Sequence, residues 1–543
     1  MKILLNNGML FDGTGSAARP GSVVIDGDTI LDVLTGEAPA RFDGEVIDCA
    51  GKAITPGFID AHSHNDWFAA RPNPMPYFAP FVEQGITTQV AGNCGFSPFG
   101  FEAGTPYYHL LGSGLFEMGE TFGDYSTFEG WRAAAELTTP LNLVPLQGHG
   151  SIRIGLAGYE NRPLTPDEMQ RHNAKLAQSF DQGVFGLSYG LMYEPDRYAG
   201  WDELDDAARI TARRGGIITV HSRAQSAAST SYQPPIGGEA HNLRALREMI
   251  DLTRRTGVRM HYSHHIFVGK ATWRTVDKSL ELIDQARAEG LDFTYDMYAM
   301  TFGVSVITVV LPSWYLTLPK EQRRSLSKRA RLALEIGVTK RALGFDFGDI
   351  QVAWAGEGHE GICGKRISEL AAAWKASPLD AYLRVVDMSD GKGRVNMYRY
   401  YNEDIIKKLM RHEPSLFMTD AWIEANGIQN ASAYGCFPRF LALSRETRAI
   451  PMEAAVRKMT GAVADRFGIR NRGYLDKGSA ADITIFDPAT VSAQEDACGR
   501  PAGICDVFIN GVHVVKSGAA DAHLLKGAGH IIVRPQTNEQ GSV

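Results

Sequence analysis

Two histidines one residue apart, His62 and His64, close the segment ITPGFIDAHSH, and residues i and i+2 of an extended chain point the same way. Both imidazoles can therefore reach one metal ion. Alone the pair is a weak signal, because chance supplies about 0.4 such pairs in a chain with 15 histidines in 543 residues. The turn and apolar run before it supply the strand context that a ligand pair requires. Cys94 ends another apolar run in AGNCG, where flanking glycines allow close backbone approach and leave the sulfur uncovered. His221 in TVHSR, His264 in YSHHI and Asp420 in FMTDAW end three more. Taken singly, each has a plain structural explanation: a small buried hydrophobe, a hydrogen-bonded core histidine, a helix cap. Their coincidence at strand ends is harder to dismiss. Neutral histidines with a thiolate are borderline-soft donors, a set that favours zinc over magnesium or calcium, and a catalytic site leaves one coordination position open for water.

The elements that must position these residues repeat between residues 53 and 420. Candidate strands are AITPGFIDA, TTQVAGN, LNLVPLQG, VFGLS, GIITV, VRMHYS, LDFTYD and SLFMT, and each ends in a polar, often histidine-bearing cluster. Amphipathic helical patterns lie between them at 167–182, 202–214, 242–255 and 275–289. Strand and helix alternating eight times read as an α/β fold, a (β/α)8 TIM-like barrel, whose active site lies where the strand C-termini meet. The connection from strand seven to strand eight, 298–414, is too long for one crossover and holds its own helical patterns at 320–335 and 367–375. It reads as an inserted subdomain at about 300–413, expected as a lid over the barrel mouth. Turn-separated strands at the two chain ends (1–54 and 468–543) predict a small shared β-sandwich domain, leaving 55–467 as the barrel.

Composition narrows the classes. Hydrophobic residues at 44% and charged ones at 22% match globular usage and argue against disorder. With 55 basic against 62 acidic side chains, a net −7, no stripe is available to neutralise phosphates, so no nucleic-acid partner is expected. The apolar run at the N-terminus breaks after Leu5, too early for a signal-peptide core. The most apolar stretch, 303–311, falls short of the roughly 20 residues that cross a bilayer, so no membrane is expected either. Six scattered cysteines without a CxxC pair predict a reducing, cytoplasmic setting.

These motifs together resemble the amidohydrolase superfamily. Within it, GNCGFS around Cys94, HGSIR at His149, GVFGLSYGLMYEP at Gly183, YSHH at His264 and SAYGCFPRFL at Ser432 are similar to the D-aminoacylase (N-acyl-D-amino-acid deacylase) branch. The likeness runs nearly end to end, through LPSW at Leu311, RKMTGAVADRFGI at Arg457, RGYLDKGSAADITIFDP at Arg472 and PAGICDVFINGV at Pro501. The resemblance implies a metal-dependent hydrolase of C–N bonds with a small-molecule amide substrate. A cysteine replaces the carboxylated lysine of many relatives, which matches Cys94. It further implies a tight zinc site at Cys94, His221 and His264, a second, weaker metal site at His62, His64 and Asp420, and Asp420 as general base. Tyr193 and Arg223 fall in segments that face substrate in that branch, and Tyr298, Ile266, His149 and Arg153 complete the expected substrate-binding set.

Departures bear on the substrate. Where the branch carries SHHK, with a lysine that helps hold a substrate carboxylate, this chain has Ser263-His264-His265-Ile266. Its DxYPY appears as Asp296-Met297-Tyr298-Ala299-Met300, keeping Tyr298. The expected reaction is hydrolysis of a linear amide with altered carboxylate recognition, any carboxylate falling to Arg223 or Arg153. Two alternatives stay open: a hydrolase of cyclic amides, imides or ureas, against which Cys94 speaks, and a metal-free barrel without catalysis.

Overall fold

The computed structural model describes residues 2–36, 41–111, 123, 125–229, 231–232, 237–494 and 498–535. Eight short strands form one parallel sheet: β1 (Phe58–Ser63), β2 (Ile86–Ala91), β3 (Asn142–Gly148), β4 (Gly186–Gly190), β5 (Ile217–His221), β6 (Arg259–Tyr262), β7 (Phe293–Met297) and β8 (Ser415–Phe417), paired in chain order. Nearly every residue in them is buried. That is the condition of a parallel sheet covered on both faces, and it explains why the strands read as apolar runs rather than as alternations. The helices between them follow the sequence pattern. Pro166–Gln182 opens on a capping box between Thr165 and Glu168, and ends at Gly183.

The last strand meets the first through side chains as well as backbone. Just beyond β8, Thr419 donates its N–H to Asp60 Oδ1 (2.9 Å) and its hydroxyl to Asp60 Oδ2 (2.6 Å), while the Asp420 N–H reaches His62 O at 3.1 Å. Burial pushes the Asp60 carboxyl up to about 6 against these bonds. Thr419→Val should therefore cost about 1–3 kcal/mol, because a buried carboxylate loses a donor. Urea unfolding checks this, as a lower midpoint at unchanged slope.

The segment AITPGFIDA, expected as one strand, is two. Ala53–Pro56 pairs antiparallel with Ile483–Phe486, in a nine-stranded sheet built from both chain ends. Phe58–Ser63 enters the barrel. The switch falls at Gly57, where a Cβ would lie 2.2 Å from Thr87 Oγ1, so no larger residue fits against β2. Ile3, Leu5 and Val23 share a core with Ile483, Ile485 and Phe508 in the terminal sheet. Of the expected C-terminal part, 536–543 lies outside the described residues.

The connection between β7 and β8 also departs from its helical reading. It carries a three-stranded antiparallel sheet, Phe302–Val306, Arg394–Tyr398 and Ile350–Trp354, beside helices that include Leu326–Leu343 and Pro378–Met388. The helix expected at 320–335 is divided into Lys320–Arg323 and Leu326–Leu343. The sheet escapes a sequence reading because its strands pair across 40 residues or more. Among the described residues no helix is long and apolar enough to cross a membrane.

Candidate metal centre

Five of the six residues singled out as donors lie at or just beyond the C-terminal ends of β1, β2, β5 and β6, and the sixth follows β8. Cys94 Sγ is 3.5 Å from His62 Nε2, 3.6 Å from His221 Nδ1 and 3.6 Å from His264 Nε2. Asp420 Oδ1 is 3.5 Å from His62 Nε2 and 3.6 Å from His64 Nε2. The donor atoms fall into two groups, His62–Cys94–His264 and His62–His64–Asp420, each within 4.8 Å throughout. His62 belongs to both. Tetrahedral zinc, with Zn–S and Zn–N bonds of roughly 2.3 Å and 2.0–2.1 Å, separates sulfur from nitrogen by about 3.6 Å. The observed spacings and the S/N/O donor set therefore fit that ion.

The backbone shows how firmly these side chains are aimed. Cys94, His264 and Asp420 have φ of 55°, 33° and 50°, left-handed values that cost non-glycine residues of order 1–3 kcal/mol each. Such strain persists only where the surroundings hold it. Around Cys94, the Gly95 N–H donates to Ser188 Oγ (3.0 Å) and the Gly95 carbonyl accepts from Ser151 N–H (3.1 Å). Gly92, at φ 90°, lies so close to the Leu146 carbonyl that a Cβ would approach its oxygen to 2.1 Å.

Charge within the cluster favours metal binding. Burial alone would raise the Cys94 thiol, but the field of His62 and hydrogen bonds from His221, His264 and His62 hold it well below the ordinary thiol range. Burial, aided by the nearby His264, lowers His221 to about 4, which keeps its imidazole neutral. Burial would likewise raise Asp420, yet His264, His64 and His62 outweigh it, and the carboxyl lies below its usual range. Its side chain is 25% exposed, so this carboxylate reaches solvent while His62 and His64 beside it are sealed.

The expected substrate residues divide. Tyr193 packs its ring 4.4 Å from that of His221, with Met192 Sδ 3.4 Å from His221 Nε2. Tyr298 is buried against Tyr401, and Asp420 is among the charges acting on its phenol. Ile266 is buried in the core that includes Tyr298. His149 and Arg153 stand in a different cluster. His149 Nδ1 lies 2.8 Å from Asp196 Oδ1, and Arg153 is 1% exposed with its Nη1 2.6 Å from Glu203. Asp196 Oδ2 in turn accepts from the Gly190 N–H, so the cluster braces β4 beside the cysteine loop. Arg223 is also engaged: Nη1 donates to Arg197 O (3.2 Å) and Nε lies 3.5 Å from Glu248.

Sequence reasoning passed over three groups at the centre. Asp296 lies 3.6 Å from His62 Nδ1, Gln225 Nε2 lies 3.3 Å from His264 Nδ1, and Trp422 stands edge-on to His64 at 5.3 Å. Asp296 carried the same signal as the donors, a polar residue at the end of an apolar strand.

No family model matches the chain. It is 29% identical over 519 residues to an N-acyl-D-glutamate deacylase of Alcaligenes xylosoxydans xylosoxydans, covering 95% of this chain and 93% of that one. It is 28% identical to a D-aminoacylase of the same organism, covering 98% and 97%. A crystal structure of a D-aminoacylase, described as defining a novel subset of amidohydrolases, superposes with a TM-score of 0.77 at 27% identity over 98% of this chain and 99% of that one. An N-acyl-D-glutamate deacylase from Bordetella bronchiseptica, complexed with zinc and a phosphonate mimic of the tetrahedral intermediate, gives 0.76 at 25% identity, with the same coverage. A D-hydantoinase from Thermus sp., at 15% identity and 0.56, shares the fold alone. In both sequence and barrel, this chain is similar end to end to D-aminoacylases and N-acyl-D-glutamate deacylases, members of the amidohydrolases.

Proposed function

We propose that the protein is a zinc-dependent amidohydrolase that cleaves a linear amide whose amine part carries no free carboxylate. One observation carries the chemistry: a single thiolate lies within 3.6 Å of three imidazole nitrogens, with the partly open carboxylate of Asp420 beside them. Cys94, His221 and His264 would hold the first zinc, and His62, His64 and Asp420 a second, weaker one. When bound, zinc supplies a Lewis acid that acidifies water and polarises a carbonyl. Asp420, held as a carboxylate, takes one proton from the attacking water. The C–O bond forms in that attack; Asp420 then delivers the proton to the departing nitrogen, the C–N bond breaks, and a neutral amine leaves beside the carboxylic acid.

The substrate reading rests on cations that are missing or committed. Ile266 stands where the resemblance places a lysine, Arg153 is spent on Glu203, and Arg223 is spent on Glu248 and a carbonyl. Tyr193, Tyr298, Ile266 and Met192 would line the binding face with apolar and aromatic surface. Tyr401, at the end of the insertion's last strand and loop, donates its hydroxyl to His265 O (3.0 Å), which supports the insertion as a cover over the barrel mouth.

A hydrolysis screen run beside metal analysis tests this reading, with N-acyl-D- and N-acyl-L-amino acids, neutral anilides and alkyl amides, and cyclic imides as arms. Neutral linear amides should lead, and a preference for cyclic imides would refute the linear reading. Ile266→Lys should raise kcat/KM on N-acetyl-D-amino acids by about 10- to 100-fold, the worth of one hydrogen bond to a charged group. No gain would count against the pocket assignment.

A further inference from the structure

We propose that Asp296 and His261 are positioning residues for the metal centre: one buried carboxylate holds the ring of His62 and the backbone of His264, and His261 holds that carboxylate. The inference rests on the metal-dependent reading above. Asp296 lies in β7 with no solvent exposure. Its Oδ2 is 3.6 Å from His62 Nδ1 and 3.0 Å from His261 Nε2, and its Oδ1 accepts the backbone N–H of His264. One residue further on, the His265 N–H donates to the Asp296 carbonyl at 2.9 Å. These backbone bonds fall where His264 takes its left-handed conformation, so the carboxylate helps to fix a turn that histidine does not adopt unaided.

His261 points into the barrel from the middle of β6 and is fully buried. Its Nδ1 lies 2.6 Å from Thr294 Oγ1 on the neighbouring strand. The carboxylate is the stronger acceptor, so His261 carries its proton on Nε2 toward Asp296, and Nδ1 takes the Thr294 hydroxyl proton. Among the described residues His62 Nδ1 makes no hydrogen bond to another group, and Asp296 is the carboxylate facing it, 3.6 Å away. His62 protonated at Nδ1 keeps its Nε2 lone pair for the centre, 3.5 Å from both Cys94 Sγ and Asp420 Oδ1. A chain of four side chains, Thr294–His261–Asp296–His62, thus sets both the ring angle and the tautomer of a donor common to the two candidate metal groups. A core position on a barrel strand would be filled more cheaply by an aliphatic residue, because a buried imidazole must have both nitrogens satisfied.

The test uses full-length chain stripped of metal and titrated with zinc against a chelating indicator, alongside kcat and KM on a neutral N-acyl amide. His261→Leu should weaken binding of one zinc by about 10- to 100-fold and lower kcat more than it raises KM. His261→Gln, which can still donate to Asp296, should recover most of both. Asp296→Asn should shift zinc affinity in the same direction as His261→Leu, and it decides the matter if the leucine variant does not fold. Wild-type zinc affinity and kcat in His261→Leu, or in Asp296→Asn where the leucine variant does not fold, would overturn the assignment. A wild-type chain that binds no zinc would overturn the metal-dependent reading, and this inference with it.

Discussion

Cys94→Ser is expected to reduce bound zinc to well below one per chain and to lower kcat/KM by on the order of 10³-fold or more. The thiolate is the one soft anion within reach of His62, His221 and His264, at 3.5–3.6 Å from each. A serine hydroxyl is nearly the same shape but stays protonated at neutral pH, so it replaces an anionic ligand with a weak neutral one. The rate estimate follows from several kcal/mol of transition-state stabilisation by the ion, at about 1.4 kcal/mol per factor of ten. Elemental analysis of the purified variant and its kinetics check both halves. Full zinc content with near-wild-type activity would leave the thiolate no role at the centre.

Asp420→Asn separates proton transfer from metal binding. The carboxylate sits beside His62 and His64 but is not among the three groups that surround Cys94. An amide there cannot shuttle the proton, so kcat should fall about 10²- to 10⁴-fold. The zinc held by Cys94, His221 and His264 should remain, and any second zinc should weaken. Parallel measurement of kcat and zinc stoichiometry distinguishes this outcome from collapse of the whole centre, in which metal and activity would disappear together.

Much of the scaffold is legible in the chain, because local pattern is enough to write it. Each barrel strand is a short apolar run bounded by glycine or polar residues, and each donor follows such a run within a few positions. The insertion's sheet is less legible, since Arg394–Tyr398 finds its partners at 302–306 and 350–354 and no local period marks that pairing. The break at Gly57 is a similar case. ITPGFID reads as continuous strand until Thr87 is seen to press on the glycine from the next strand.

Arginines show the same division at the site. Sequence made Arg153 and Arg223 candidates for a substrate carboxylate, because a positive charge near a barrel mouth has that capacity. Glu203 lies 50 residues from Arg153, and Glu248 lies 25 from Arg223. Only folding reveals that the first charge is already neutralised in a buried pair, which costs far more to break than an exposed one.

By itself the sequence determined which side chains have metal-binding chemistry and that they end parallel strands, since strand period and residue type are properties of neighbours along the chain. Tertiary structure alone decided that His62 stands between Cys94 and Asp420, that Asp296 and His261 lie behind it, and that Asp60 ties to Thr419 across 359 residues. Distances of 3–4 Å between remote segments depend on how the barrel closes, and closure is set by packing summed over the whole core rather than by any short stretch of chain.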